Sequence, residues 1–309
     1  MPTRVHPVLR IAFTCLLLVL LIAWAGPSSL AKIARGLDPG YCVLCAMSIL
    51  VGTCIGAFNV HLLLRAHSGQ PFREFLRVYW IAWAVGLVTP GQVGDVATVG
   101  VMLRREGVDW RGTVGRALLD KSVTLAVMLA VATAAAIDLW PRLAPQLAWS
   151  NWGAFAAGGA ALLALVALGL ALGKRAHTLR QHATQVAAGF TQLLREAPGI
   201  VALNCGLTIV KLLLTGASYW FAFRAVGFFA LGYLQTIGLS TASSLVAYVP
   251  ISFNGIGPVE TAGVALFGLS GVPVDTVLGV YLLLRTTILI LAWSPAIVAL
   301  AHRRRDAAA

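Results

Sequence analysis

Long apolar runs separated by short polar joints dominate the chain. Six runs match the roughly 20 residues that cross a bilayer core as helix. They lie at about 9–28, 41–64, 115–137, 152–172, 199–223 and 277–300. Two further segments, about 78–103 and 228–270, fit poorly as single spans. Each has an apolar arm, a break rich in glycine and proline, and a second, shorter arm. The first break reads "TPGQVGD" (89–95) and the second "NGIGPVE" (254–260). Pro90 ends an arm, and Gly91 and Gly94 permit the turn. Asn254, Gly255 and Gly257 occupy the second break.

Composition fits this pattern. The chain is 59% hydrophobic and 11% charged, against about 25% charged in a soluble domain. The predicted class is an all-α polytopic membrane protein, a single integral membrane domain over 1–309. A net charge of +12 then bears on orientation and anionic headgroups, not on nucleic acid. The loop at about 173–198 reads as a basic amphipathic surface helix. Ala23-Trp24-Ala25 resembles a signal-peptidase site, but the later organisation requires a retained first span.

The Lys/Arg distribution orients the spans. If 78–103 enters and leaves on one side, the arginines at 65, 73, 77, 104, 105, 111 and 116 share that side. The N-terminal arginines, those of the 173–198 loop and Arg303 to Arg305 join them. Lys32, Arg35, Arg142 and Arg224 stay opposite. By the positive-inside rule this predicts the cytoplasmic (inner) membrane with both termini cytoplasmic. It also predicts six spans and two re-entrant hairpins, one entering from each face.

The hairpins repeat one another. Asp95 is followed by Gly107-Val108 and then Lys121; Glu260 is followed by Gly271-Val272 and then Arg285. Arg65-Ala66 and Arg224-Ala225 end the preceding spans. An inverted repeat is predicted, with halves at about 1–137 and 138–309. Such repeats, with broken helices at mid-membrane, are a transporter architecture.

Charges inside spans cost about 2.5–3.5 kcal/mol at the bilayer centre and face the bundle interior. Asp95, Asp120, Lys121, Lys211, Glu260 and Arg285 are such charges, and Gln92 lies in the first break. Gln92 and all of these charges except Asp120 are the candidate headgroup- or substrate-binding residues. The repeat pairs Asp95 with Lys121 and Glu260 with Arg285, as structural locks or as anion contacts. Arg116 and Asp120 stand at i, i+4, the spacing of a local helix pair. Asp109 and Asp275 read as N-caps. Cys42-x-x-Cys45 has no second ligand pair, so packing is its reading, and no metal or cofactor is expected. No P-loop, Gly-x-Ser-x-Gly elbow or zinc motif occurs, so no enzymatic activity is expected.

"TPGQVGD", "LLDK", "NGIGPVE" and "LLLR" resemble motifs of the lysylphosphatidylglycerol synthase transmembrane family, over about 10–300. Gln92 stands where that family carries arginine, and Phe253-Asn254 where it carries Pro-Gly. The resemblance does not include the soluble aminoacyl-transferase domain, so lysyl transfer is not implied. It implies a lipid flippase whose hairpins meet in a cavity open to an anionic phospholipid or a lipid-linked intermediate. Membrane lipids are the expected partners, with lipid- or glycan-synthesis enzymes as further ones. Two readings stay open beside it: an accessory subunit of a lipid or glycan pathway, and an ion-coupled small-solute transporter.

Overall fold

The computed structural model describes residues 19–20, 22–23, 26–89, 94–105, 110–143, 197–248 and 254–306. Within them the chain is helical, without strands. The helices are α1 (Pro27–Arg35), α2 (Pro39–Ser68), α3 (Phe72–Gly86), α4 (Gly94–Arg105), α5 (Trp110–Leu143), α6 (Pro198–Ala225), α7 (Tyr233–Leu245), α8 (Pro258–Gly268) and α9 (Val274–Asp306). A 3-10 turn, Val246–Tyr248, follows α7.

Four stretches are long and apolar enough to span a membrane: Pro39–Arg65, Thr113–Asp138, Pro198–Ala225 and Val274–Pro295. They coincide with four of the six expected spans. The expected spans at 9–28 and 152–172, and the basic loop at 173–198, lie outside the described residues, apart from short pieces of the first and the end of the loop.

Local chemistry sets the helix ends. Proline at the first turn opens α1, α2, α6 and α8, where a missing N–H costs nothing. Asp38 caps α2 by accepting the Tyr41 N–H at 3.1 Å. The Asp38 N–H itself donates to the Ala225 carbonyl at 2.9 Å. The start of α2 is thereby tied to the end of α6.

The two segments that fit poorly as spans are helical hairpins. Their arms are 15, 12, 13 and 11 residues long. At 1.5 Å per residue that is about 17–23 Å each, short of the roughly 30 Å core. In the first hairpin a Cβ on Gly86 of α3 would stand 3.3 Å from the Asp95 Cβ of α4. Phe75, Val78 and Ala82 share a buried cluster with Val99 and Leu103. The arms therefore run back along each other. In the second, the Gln235 side chain donates to Ser270 Oγ at 3.1 Å across the mouth. The backbone of Ala247 crowds Gly255 at the tip.

Helix α9 shows that the hairpins point at each other. Gly263 of α8 lies against Tyr281, and Glu260, nearer the tip, against Arg285. Farther along α9, Trp80 of α3 donates its indole N–H to the Leu291 carbonyl at 3.3 Å. Pro295 has no N–H to offer that carbonyl, so Trp80 and Ser294 Oγ, at 3.2 Å, replace the missing helix bond. The tips then meet directly, as the Asn254 N–H donates to the Thr89 carbonyl at 3.3 Å.

Two minor expectations are corrected. Asp275 lies in the first turn of α9 and accepts the Thr276 N–H at 2.8 Å, so it is inside the helix and not its cap. Arg116 donates to the Leu63 carbonyl at 2.7 Å, and Asp120 turns to a pair of asparagines. The buried interhelical partners outcompete the local i, i+4 pairing. Asp109 lies outside the described residues. Cys45 is fully buried in the core, and both Cys42 and Cys45 are free thiols.

Candidate functional site

Helix N-termini leave N–H groups without intrahelical partners, and a carboxylate in the first turn satisfies them. Both inner arms carry one. At the start of α4, Asp95 Oδ1 accepts the Val96 N–H at 2.8 Å. Its Oδ2 meets the Lys121 ammonium of α5 at 2.7 Å. At the start of α8, Glu260 Oε2 accepts the Gly257 N–H at 2.6 Å. Its Oε1 accepts from Arg285 Nε of α9 at 2.8 Å. Each carboxylate thus gives one oxygen to its own helix and the other to the next span. Both pairings expected from the repeat are present.

The second tip is built from unusual backbone. Asn254, Gly255 and Gly257 have φ of 45°, 70° and 92°. Glycine reaches these values without the Cβ clash that other residues meet. The turn aims the Asn254 carbonyl at Arg285 Nη2, 3.3 Å away. Gly94 opens α4 in the first tip, while Pro90, Gly91 and Gln92 lie outside the described residues.

Between the tips and the long helices lies a cavity of about 330 Å³. Asp95, Lys121, Lys211, Asn254 and Arg285 all line it. Lys211 and Arg285 sit at the middle of their spans, so the cavity lies at mid-span. Glu260 does not line it and is 2% exposed, behind Arg285. Three cations thus face the space, against one lining carboxylate among the described residues.

Lys211 differs from the other two cations. Among the described residues no carboxylate lies within ion-pair distance of its ammonium. Its stem rests on Gly56 of α2, where a Cβ would stand 3.4 Å from Lys211 Cδ and 2.8 Å from the Tyr79 hydroxyl. A side chain at 56 would reach contact distance of Lys211 and would require the Tyr79 hydroxyl to shift.

One turn from Lys211, the intramembrane Asp120 joins a polar cluster whose other members are uncharged. Asn59 Nδ2 donates to Asp120 Oδ1 and to Thr208 Oγ1, each at 3.0 Å. Asn204 Nδ2 donates to Asn59 Oδ1 at 2.9 Å and to Asp120 Oδ1 at 3.0 Å. All four residues are buried, and they join α2, α5 and α6. An amide inside each of two apolar spans was the available signal, since such residues bond across helices in a membrane.

These hairpins, ion pairs and motifs can be set against known families. A family model for the lysylphosphatidylglycerol synthase TM region matches residues 8–295. The chain belongs to that family. The match takes in both hairpins and all four described spans. It makes the chain a multi-pass membrane protein of a family connected with lipid handling. Comparison with curated proteins and with solved structures returned no match.

Proposed function

We propose that the protein is a lipid flippase of the cytoplasmic membrane that catalyses no chemical reaction. It moves an anionic phospholipid or a lipid-linked intermediate through the cavity between the hairpins. The observation that carries this reading is the mid-span cavity lined by Lys121, Lys211 and Arg285, with Asp95 the lining carboxylate among the described residues. A headgroup phosphate crossing the core has to exchange hydration for fixed donors, and three cations at mid-span supply them. Family membership supports a lipid as the cargo.

In this reading the two hairpins are re-entrant, one from each face, and the halves about 1–137 and 138–309 form an inverted repeat. Their arms, too short to cross, and their touching tips support it. Both termini are then cytoplasmic. Single cysteines at Arg73 and Arg104 should label from one face, and cysteines at Gln235 and Ser270 from the other. Labelling of 73 and 104 from opposite faces would remove the re-entrant reading.

Transport is tested with purified protein in liposomes that carry fluorescent anionic phospholipid or a polyprenyl-phosphate analogue. Wild type is compared with Glu260→Gln, Arg285→Ala and Lys211→Gln. Movement that needs these residues establishes lipid transport at this site. No movement of any lipid by folded protein turns the reading toward an accessory subunit or an ion-coupled small-solute transporter.

A further inference from the structure

Of the charges expected inside the spans, Asp120 and Lys211 stand outside the ion pairs. Asp95 has Lys121, and Glu260 has Arg285. Among the described residues no cation lies within ion-pair distance of Asp120, and no carboxylate within that distance of Lys211. The two are nevertheless neighbours. Asn59 Nδ2 bridges Asp120 and Thr208, and Lys211 stands one turn beyond Thr208 on α6. They balance each other's charge across a layer of amides, without contact.

The cluster around Asp120 is short of one donor. Asp120 Oδ1 accepts from Asn59 Nδ2 and from Asn204 Nδ2, each at 3.0 Å. No described group bonds to Oδ2. Asn204 is fully buried, and its Oδ1 has no hydrogen-bond partner among the described residues. A buried charge without a counter-ion and a buried acceptor without a donor are both costly. One proton on Asp120 Oδ2 relieves both. It cancels the charge and supplies an O–H to a cluster that holds an idle acceptor. Sodium fits less well, because its transporter sites draw on carbonyls of unwound backbone. Helices α2, α5 and α6 run unbroken past the cluster, and both amides turn N–H groups to the carboxylate.

The groups that act on Asp120 are Tyr79 of α3, Tyr248 after α7, Lys211 of α6 and the adjacent Lys121. Other titratable groups of the packed helices are engaged elsewhere. Asp95 of α4 holds Lys121, His61 of α2 packs on Phe72 and Phe75, and Tyr233 of α7 donates to the Leu213 carbonyl. Lys211 is therefore the cation whose occupancy sets the balance. An anion on Lys211 takes away the charge that offsets Asp120, so Asp120 gains affinity for a proton. By linkage, a proton on Asp120 strengthens anion binding at Lys211 by the same factor. We propose that Asp120 is a proton-binding site coupled to the anion site at Lys211, so that the protein carries one proton with each anionic headgroup. Asp120 alternates between carboxylate and carboxylic acid, taking the proton from water on one side and returning it on the other. This rests on the translocation reading above.

The test uses phosphatidylcholine proteoliposomes with a trace of fluorescent phosphatidylglycerol and a pH gradient of about one unit. Co-transport with one proton should hold about tenfold more probe in the leaflet facing the alkaline side. Equal leaflets despite the gradient overturn the inference and leave translocation standing. Asp120→Asn mimics the neutral acid and should abolish the asymmetry; an asymmetry that survives in it overturns Asp120 as the site. Asymmetry that follows a sodium gradient at equal pH, and not a proton gradient, overturns the proton. If no lipid moves, binding decides separately. Dimethyl phosphate is an anion that does not titrate near neutral pH. Its affinity for wild type, read from thermal unfolding, should fall about tenfold per pH unit once Asp120 is ionised, and should not change with pH in Asp120→Asn. A pH-independent affinity in wild type overturns the inference. If the variant does not fold, proton uptake by wild type on binding dimethyl phosphate decides: one proton per anion supports the coupling, and no uptake overturns it.

Discussion

Asp95 and Glu260 hold the same two partners, a helix N-terminal N–H and a cation on the following span, yet their surroundings differ. The Asp95 and Lys121 side chains are 26% and 24% exposed, open alike to the cavity. The Glu260 side chain is 3% exposed, while that of Arg285 keeps 23%. Arg285 also differs from Lys121 in reach, since its fork holds Glu260 through Nε and the Asn254 carbonyl through Nη2. A lysine has a single ammonium, which here goes to Asp95. The second hairpin is thus tied to α9 at two points, through a carboxylate sealed from the cavity. The first is tied to α5 at one point that a ligand can reach. The same chemistry, repeated, gives a lock on one side and a contact available for exchange on the other.

The largest expected effect is Arg285→Ala, which leaves Glu260 as a buried carboxylate without its cation. It should destabilise the protein by about 3–5 kcal/mol, seen as a large fall in the thermal midpoint of purified protein. Lys121→Ala should cost only about 1 kcal/mol, because Asp95 stays partly exposed. Equal losses in the two variants would erase the distinction between lock and contact.

Gly255→Ala comes next. A Cβ there requires the left-handed region and would stand 2.8 Å from the Ala247 backbone. The strain is about 1–3 kcal/mol. It should weaken the Arg285 contact to Asn254, so a double-mutant cycle between positions 255 and 285 should show coupling. Additivity would mean that the turn and the ion pair are independent.

Charge reversal separates the two pairs further. Asp95→Lys with Lys121→Asp should retain more stability than either single change, since both groups reach the cavity and can re-pair. The matching exchange at 260 and 285 should fail, as it places an arginine where Glu260 is sealed. Thermal midpoints of the six variants read this out.

The smallest effect is Trp80→Phe. It removes one donor from the Leu291 carbonyl while Ser294 keeps the other, for a loss of about 0.5–1 kcal/mol. The change should appear as faster hydrogen exchange near Pro295, with little shift in the midpoint.

Much of this arrangement is legible in the order of the residues. The long apolar runs mark four spans at the places where they are found, because a bilayer imposes one length and one polarity on a helix. Glycine and proline in "TPGQVGD" and "NGIGPVE" mark the breaks. The equal spacing from glycine to cation, 107 to 121 and 271 to 285, pairs each carboxylate with its partner. Local rules fail where partners from other helices compete. Arg116 and Asp120 have the spacing of a helix pair, but the Leu63 carbonyl and two asparagines hold them instead.

Residue order therefore dictates which segments are helical, where they break and which charges must find partners. These follow from local stereochemistry and from the cost of charge in an apolar setting. Packing between distant helices governs the rest: that the tips meet, that Lys211 has no carboxylate at ion-pair distance among the described residues, and that amides of α2 and α6 meet at Asp120. Those outcomes depend on how helices far apart in the chain are rotated and staggered against each other. Side-chain volumes such as the absent Cβ of Gly56 set that registry, and no periodicity along one helix records it.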